Sequence, residues 1–166
     1  MIGHSPTIFA SIALVALIMA FCLFLVTRFQ PKDGMLTTGY GLICHALAYC
    51  GYASYGFVPL WLSYSLANTL LSLAVAFYTV SIARIQGRQM AWWPVFSLPL
   101  LMAVLQAVLL PTQEPRMLAA SVVLLMACVL LLYHARQHVL PGGKAHLLLV
   151  IGATISIVSL LLRVAA

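Results

Sequence analysis

The sequence predicts an all-α fold, a polytopic bundle of about six transmembrane helices with its N-terminus outside, and three observations carry that expectation. Of the 166 residues, 64% are hydrophobic and 6% charged, where a soluble domain is about a quarter charged; mean hydropathy is +1.13. Eight Lys and Arg with two Asp and Glu cannot surface a globule in water. Apolar runs of about 20 residues, the length that crosses a hydrocarbon layer, use up the chain with only short connections between them. Finally, the basic residues gather in alternate connections, as orientation in a membrane requires.

The first run covers residues 7–27. No Lys or Arg precedes it, while Arg28 and Lys32 follow, the wrong polarity for a cleaved signal peptide. Gln30-Pro31-Lys32-Asp33-Gly34 breaks the pattern before a second run over 35–57. Pro59 marks the next turn, and a third run, 60–83, stops at the charged and glycine-bearing Arg84-Ile85-Gln86-Gly87-Arg88. Trp92 and Trp93 open the fourth run, 92–110, as an interfacial belt; within it Pro99 removes a backbone hydrogen bond and is expected to bend the helix. Thr112-Gln113-Glu114-Pro115 leads to a fifth run, 116–135. The polar tract 136–144 separates that from a sixth, 145–164. With no repeat and no linker, the whole chain, 1–166, reads as one transmembrane domain.

Arg28, Lys32, Arg84, Arg88, Arg136 and Lys144 fall in alternate loops, leaving Arg116 and Arg163 for the other side. Those loops are expected to be cytoplasmic. Six crossings then put Ala166 outside, the appearance of a chain cut before one further span.

Composition also excludes chemistry. Asp33 and Glu114, the only acids, fall on opposite sides, so no paired-carboxylate site can form. Cys22, Cys44, Cys50 and Cys128 lie inside apolar runs, where cysteine behaves as a small hydrophobe. There is no phosphate-cradling glycine loop and no nucleophile elbow. No cofactor or metal is expected, and basic residues spread beside apolar spans argue against nucleic acid.

Polar side chains within apolar runs mark the faces that turn toward protein or water. Gly41, His45, Tyr49 and Tyr52 share one face of the second run; Ser65, Asn68, Thr69, Ser72, Ala76 and Thr79 line the third; Gly152, Ser156, Ser159 and Arg163 line the sixth. Asn68, two turns deep, needs a hydrogen-bonding partner. His45, near the middle of its run, reads as a neutral imidazole bonded to a neighbouring tyrosine or serine. The alternatives are a proton or ligand sensor and a haem axial ligand, the last disfavoured because His134, His138 and His146 cluster near one end of their helices. The expected ligand site is a cavity in the outer half, bounded by the second, third and sixth spans, with Arg163 at its mouth and Asn68, His45, Tyr49, Tyr52, Trp61 and Tyr64 as walls and polar contacts.

The stretch Phe57-Val-Pro-Leu-Trp-Leu-Ser-Tyr-Ser-Leu-Ala-Asn-Thr-Leu-Leu, with Ile82-Ala-Arg-Ile-Gln-Gly-Arg88 closing the span, resembles the N-terminal membrane sensor region of bacterial GGDEF-type diguanylate cyclases. Pro59, Asn68, Gly87, Arg88 and Arg163 match that family's proline at the outer turn, span asparagine, inner Gly-Arg and later arginine, over roughly residues 37–163. The resemblance implies a sensory input module in the bacterial inner membrane, multi-pass, not itself an enzyme. It implies one more helix leading to a cytoplasmic output domain, and no GGDEF domain is present in this sequence. The expected partners are the lipid bilayer, a small ligand, the cytoplasmic output domain of the parent protein and a second copy in a homodimer. A small transporter or channel subunit and a b-type haem protein are the alternative readings.

Overall fold

The computed structural model describes residues 5–29, 34–137 and 144–165. Six helices occupy them: α1 (Ser5–Phe29), α2 (Met35–Ala53), α3 (Trp61–Ile85), α4 (Trp93–Val108), α5 (Gln113–Gln137) and α6 (Lys144–Ala165). No strand is present among the described residues, only an isolated bridge between Tyr55 and Val58. Each helix falls on one of the six apolar runs. Helices are what such runs must form away from water, because a helix satisfies its backbone groups within one segment. Three helical segments, Pro6–Arg28, Trp61–Ile85 and Gln113–Gln137, are long and apolar enough to cross a membrane.

Local chemistry sets the ends. α2 stops at Ala53, short of the expected 57, because the Ser54 hydroxyl donates to the carbonyls of Cys50 and Gly51 and ends the ladder. α5 starts at Gln113 rather than 116, since Pro115 is tolerated in a first turn, where no N–H is needed. α3 ends in a Schellman motif: Arg88 N–H donates to Ala83 O at 2.8 Å and Gly87 N–H to Arg84 O at 2.9 Å, with Gly87 at φ +68° as the motif requires. The first six residues of α3, Trp61–Leu66, wind as a π-helix, and ahead of them the Pro59 carbonyl accepts from the N–H groups of Leu62 and Ser63. α4 continues through the buried Pro99.

The packing is small inside and large outside. Ala46, Ala48, Ala67, Ala74, Ser63 and Ser72 are fully buried, while Phe21, Leu100, Val104 and Val108 face outward. Lipid is as apolar as leucine, so helices associate where small residues let backbones approach. Gly41 shows this closely: a Cβ there would stand 2.6 Å from the Tyr78 ring. At the N-terminal end of α2, Gly34, φ +100°, lies where a Cβ would come 2.8 Å from Ser81 O, and its own carbonyl accepts from the Ser81 hydroxyl at 2.8 Å. α3 is the hub, packed against α2, α4 and α5; α1 packs on α2 alone, and α6 on α5 alone, among the described residues.

Candidate functional site

The polar face of α2 does come to lie against α3, and the tyrosines it carries form a ladder of rings. From the end of the bundle where α2 turns into α3, Tyr55 meets Tyr64 edge-on at 5.3 Å, Tyr64 meets Tyr52 at 6.2 Å, and Tyr52 meets Tyr49 at 5.8 Å. Tyr49 then stacks on His45 at 4.8 Å, and His45 tilts toward Tyr78 of α3 at 6.3 Å. The spacing 45, 49, 52 follows one helical face, which is why α2 can present a continuous edge of rings. Phe9 of α1 covers the ladder's back, 5.8 Å from both Tyr49 and Tyr52.

Asn68 finds its partner within this ladder: Tyr52 donates its hydroxyl to Asn68 Oδ1 at 2.6 Å. Asn68 is 8% exposed, so the bond satisfies an amide that would otherwise be costly to bury. The guanidinium near this end comes from α5. Arg116 is 3% exposed, sits over the Tyr64 ring at 5.5 Å and donates to Leu110 O at 2.7 Å. Its carbonyl accepts from the fully buried Gln106 of α4 at 3.3 Å. Arg163 lies in α6, but its side chain is outside the described residues. At this end of α2 and α3 the rings of Tyr52, Tyr55 and Tyr64 pack against one another, and Arg116 lies over Tyr64.

The open volume lies halfway along the bundle. A cleft of about 540 Å³ is lined by His45 and Tyr49 of α2, by Leu71, Val75 and Tyr78 of α3, by residues of α5 that include Cys128, and by Ala153, Ile155, Ser156 and Leu160 of α6. Among the described residues, its lining holds no Lys, Arg, Asp or Glu. The hydrogen bond expected of His45 is not made. Its Nδ1 is buried with no partner among the described residues, and the ring stacks on Tyr49 and tilts toward Tyr78. Nε2 is therefore the nitrogen by which the imidazole can meet an occupant. The polar groups that line the cleft are the His45 imidazole, the hydroxyls of Tyr49, Tyr78 and Ser156 and the Cys128 thiol, set among apolar side chains.

Of the expected site residues, His45 and Tyr49 line the cleft, while Tyr52, Tyr64 and Asn68 form the ladder above it. Trp61 stands apart. It is 55% exposed and faces a separate groove toward α4 with Ser65, Thr69 and Ala103. Sequence reasoning misses Tyr78, whose signal is the spacing Leu71-Val75-Tyr78 on one face of α3, opposite Gly41. It also misses Arg116, which offers no signal beyond being one of two basic residues outside the three basic loops. Ser156, which the sequence places on the small and polar face of the sixth run, is exposed to the cleft and donates to Gly152 O. Gly152 itself has open space around it. Among the described residues no three of His, Cys, Asp and Glu gather as a metal site. No protein-family model, curated protein or solved structure matches the chain.

Proposed function

We propose that the chain is a membrane-embedded sensory input module of a bacterial signalling protein, multi-pass in the inner membrane, whose signal acts at the mid-depth cleft and is passed to a cytoplasmic diguanylate cyclase-type output in the parent protein. One observation carries the reading: the cleft is walled on one side by the tightly packed pair α2 and α3 and on the other by α6, which is held by α5 alone among the described residues. A sensor needs two packings of similar free energy and a signal with unequal affinity for them. An occupant touching α2, α3 and α6 together changes the balance between α6 drawn toward the hub and α6 displaced from it. α2 and α3 do not share that freedom, being joined by the ring ladder, the Tyr52–Asn68 bond and, at the opposite end, the Thr38–Ser81 hydroxyl pair at 2.5 Å.

The basic loops orient the molecule with its N-terminus outside, so the α2–α3 turn is outer and the Arg84–Arg88 loop cytoplasmic. The test joins the chain through one further span to a diguanylate cyclase domain and reads cyclic di-GMP in cells. Ser156→Phe, which places a ring in the cleft from an exposed position, is expected to lock the output high or low. Ser97→Phe, on the exposed face of α4, is expected to leave it unchanged. An unaltered output from a membrane-inserted Ser156→Phe protein rejects the reading.

A further inference from the structure

We infer that the cleft takes a neutral, ring-bearing lipid of the quinone class, held by a hydrogen bond to His45 and by ring contact with Tyr49 and Tyr78. The inference rests on the sensory reading of the cleft for its meaning, but the binding it asserts is measurable without any output. Three features of the lining select the chemistry. Among the described residues the lining holds no Lys, Arg, Asp or Glu, and an ionised headgroup brought to mid-depth without a counter-charge is expensive. Fatty acids and phospholipid headgroups are thereby disfavoured by the described lining, and a neutral molecule fits it better.

The second feature is shape. Tyr49 and His45 form a stacked pair at an interplanar angle of 28°, Tyr78 stands at 47° to the imidazole, and all three rings line the open volume. Aromatic rings prefer offset stacks and edge contacts with other rings, a gain a saturated chain cannot make. Leu71, Val75, Leu160 and Ile155 supply the apolar remainder that would accept an isoprenoid tail.

The third feature is the unengaged imidazole. A neutral histidine carries one donor and one acceptor, and with Nδ1 sealed in protein and unpartnered, the tautomer is free to follow whatever meets Nε2. With the proton on Nε2, the ring donates to a quinone carbonyl; with the proton on Nδ1, Nε2 accepts from a quinol hydroxyl. The same site therefore holds both redox forms. The protein distinguishes them by which tautomer each demands, with no electron transfer to or from the chain.

The purified full chain in dodecylmaltoside, titrated calorimetrically with decylubiquinone and with decylubiquinol, tests this. Both are expected to bind saturably at one site per chain. His45→Phe keeps the ring contact and removes the hydrogen bond, and is expected to weaken both by about tenfold or more. Ser156→Phe is expected to abolish binding by filling the cleft, and Trp61→Phe, on the far groove, to leave it unchanged. Circular dichroism and size exclusion confirm that each variant is folded. Absence of saturable binding, equal affinity for n-decanol, or an unchanged affinity in folded His45→Phe overturns the assignment. A cyclase output that still responds to Ser156→Phe while decylubiquinone fails to bind discards the quinone and keeps the sensor. Binding accompanied by an output indifferent to Ser156→Phe does the reverse.

Discussion

Asn68 can be held at 8% exposure because Tyr52 reaches across from α2 with a hydroxyl. Hydrogen bonds between membrane helices contribute roughly 0.6 kcal/mol on average and about 1.7 at most, because the separated helices find other partners. A double-mutant cycle of Asn68→Leu and Tyr52→Phe, followed by unfolding in mixed micelles, is accordingly expected to return a coupling within that range; additive effects exclude the bond. Asn68 is legible in the sequence because an amide two turns into an apolar run must find a partner. The partner's identity is less so, since Tyr49, Tyr52, Tyr55 and Tyr64 all belong to the same end of the bundle and only the packing of α2 on α3 selects one. Two glycines give a second residue-scale prediction. Gly41→Ala drives a methyl to 2.6 Å from the Tyr78 ring and is expected to destabilise by about 1–3 kcal/mol. Gly152→Ala meets nothing within 4 Å and is expected to be neutral or stabilising by up to about 1 kcal/mol. Both glycines stand on similar small and polar stripes in the sequence. Measured melting temperatures that move together would contradict the difference in packing.

Among the elements, α5 is where the sequence conceals most. Its apolar run is plain, yet the residue that fastens its first turn is an arginine, a type whose default place at a span end is the headgroup region. The fold turns Arg116 inward because the carbonyl of Leu110, at the end of α4, lies within 2.7 Å and the face of Tyr64 within 5.5 Å. No spacing rule anticipates those two partners, which come from different elements. Arg116→Met is expected to lower stability by about 1–3 kcal/mol, the cost of leaving a buried carbonyl without its donor. Arg116→Lys is expected to recover only part of that, because a lysine cannot lie flat on a ring while reaching the carbonyl. Equal stability for wild type and Arg116→Met would show that the carbonyl is satisfied in some other way. α2 is the opposite case: the series His45, Tyr49, Tyr52 is visible as one face from its spacing alone, and that face does carry the ladder. α6 lies between the two. Its small-residue stripe reads as a packing surface, but Gly152 and Ser156 are exposed, and Ser156 lines the cleft. A stripe reports which side avoids lipid, not whether protein or open space lies beyond it.

For the whole molecule, all six helices are foreseen to within a few residues, because hydropathy over 20 residues is a stronger signal than any single side chain. The depth of the open volume is not foreseen. It depends on how far α6 stands from α2, and neither helix encodes that distance alone. Orientation is testable directly. In a background without native cysteines, Gln86→Cys and Gln137→Cys are expected to be shielded from an impermeant thiol reagent in intact cells, and Gln113→Cys to be labelled. Labelling of Gln86→Cys from outside reverses the bundle.

The attachment of α6 to α5 alone, among the described residues, also fixes an order of construction. As the chain emerges from its N-terminus, α1 and α2 can pair as a hairpin, α3 can join them, and α4 and α5 can close on α3 before α6 exists. Until then the His45 and Tyr78 side of the cleft has no α6 opposite it. The cleft is therefore complete only once α6, the last of the six described helices, has been made, so a truncation before Lys144 leaves the ring ladder in place and removes a wall of the cleft.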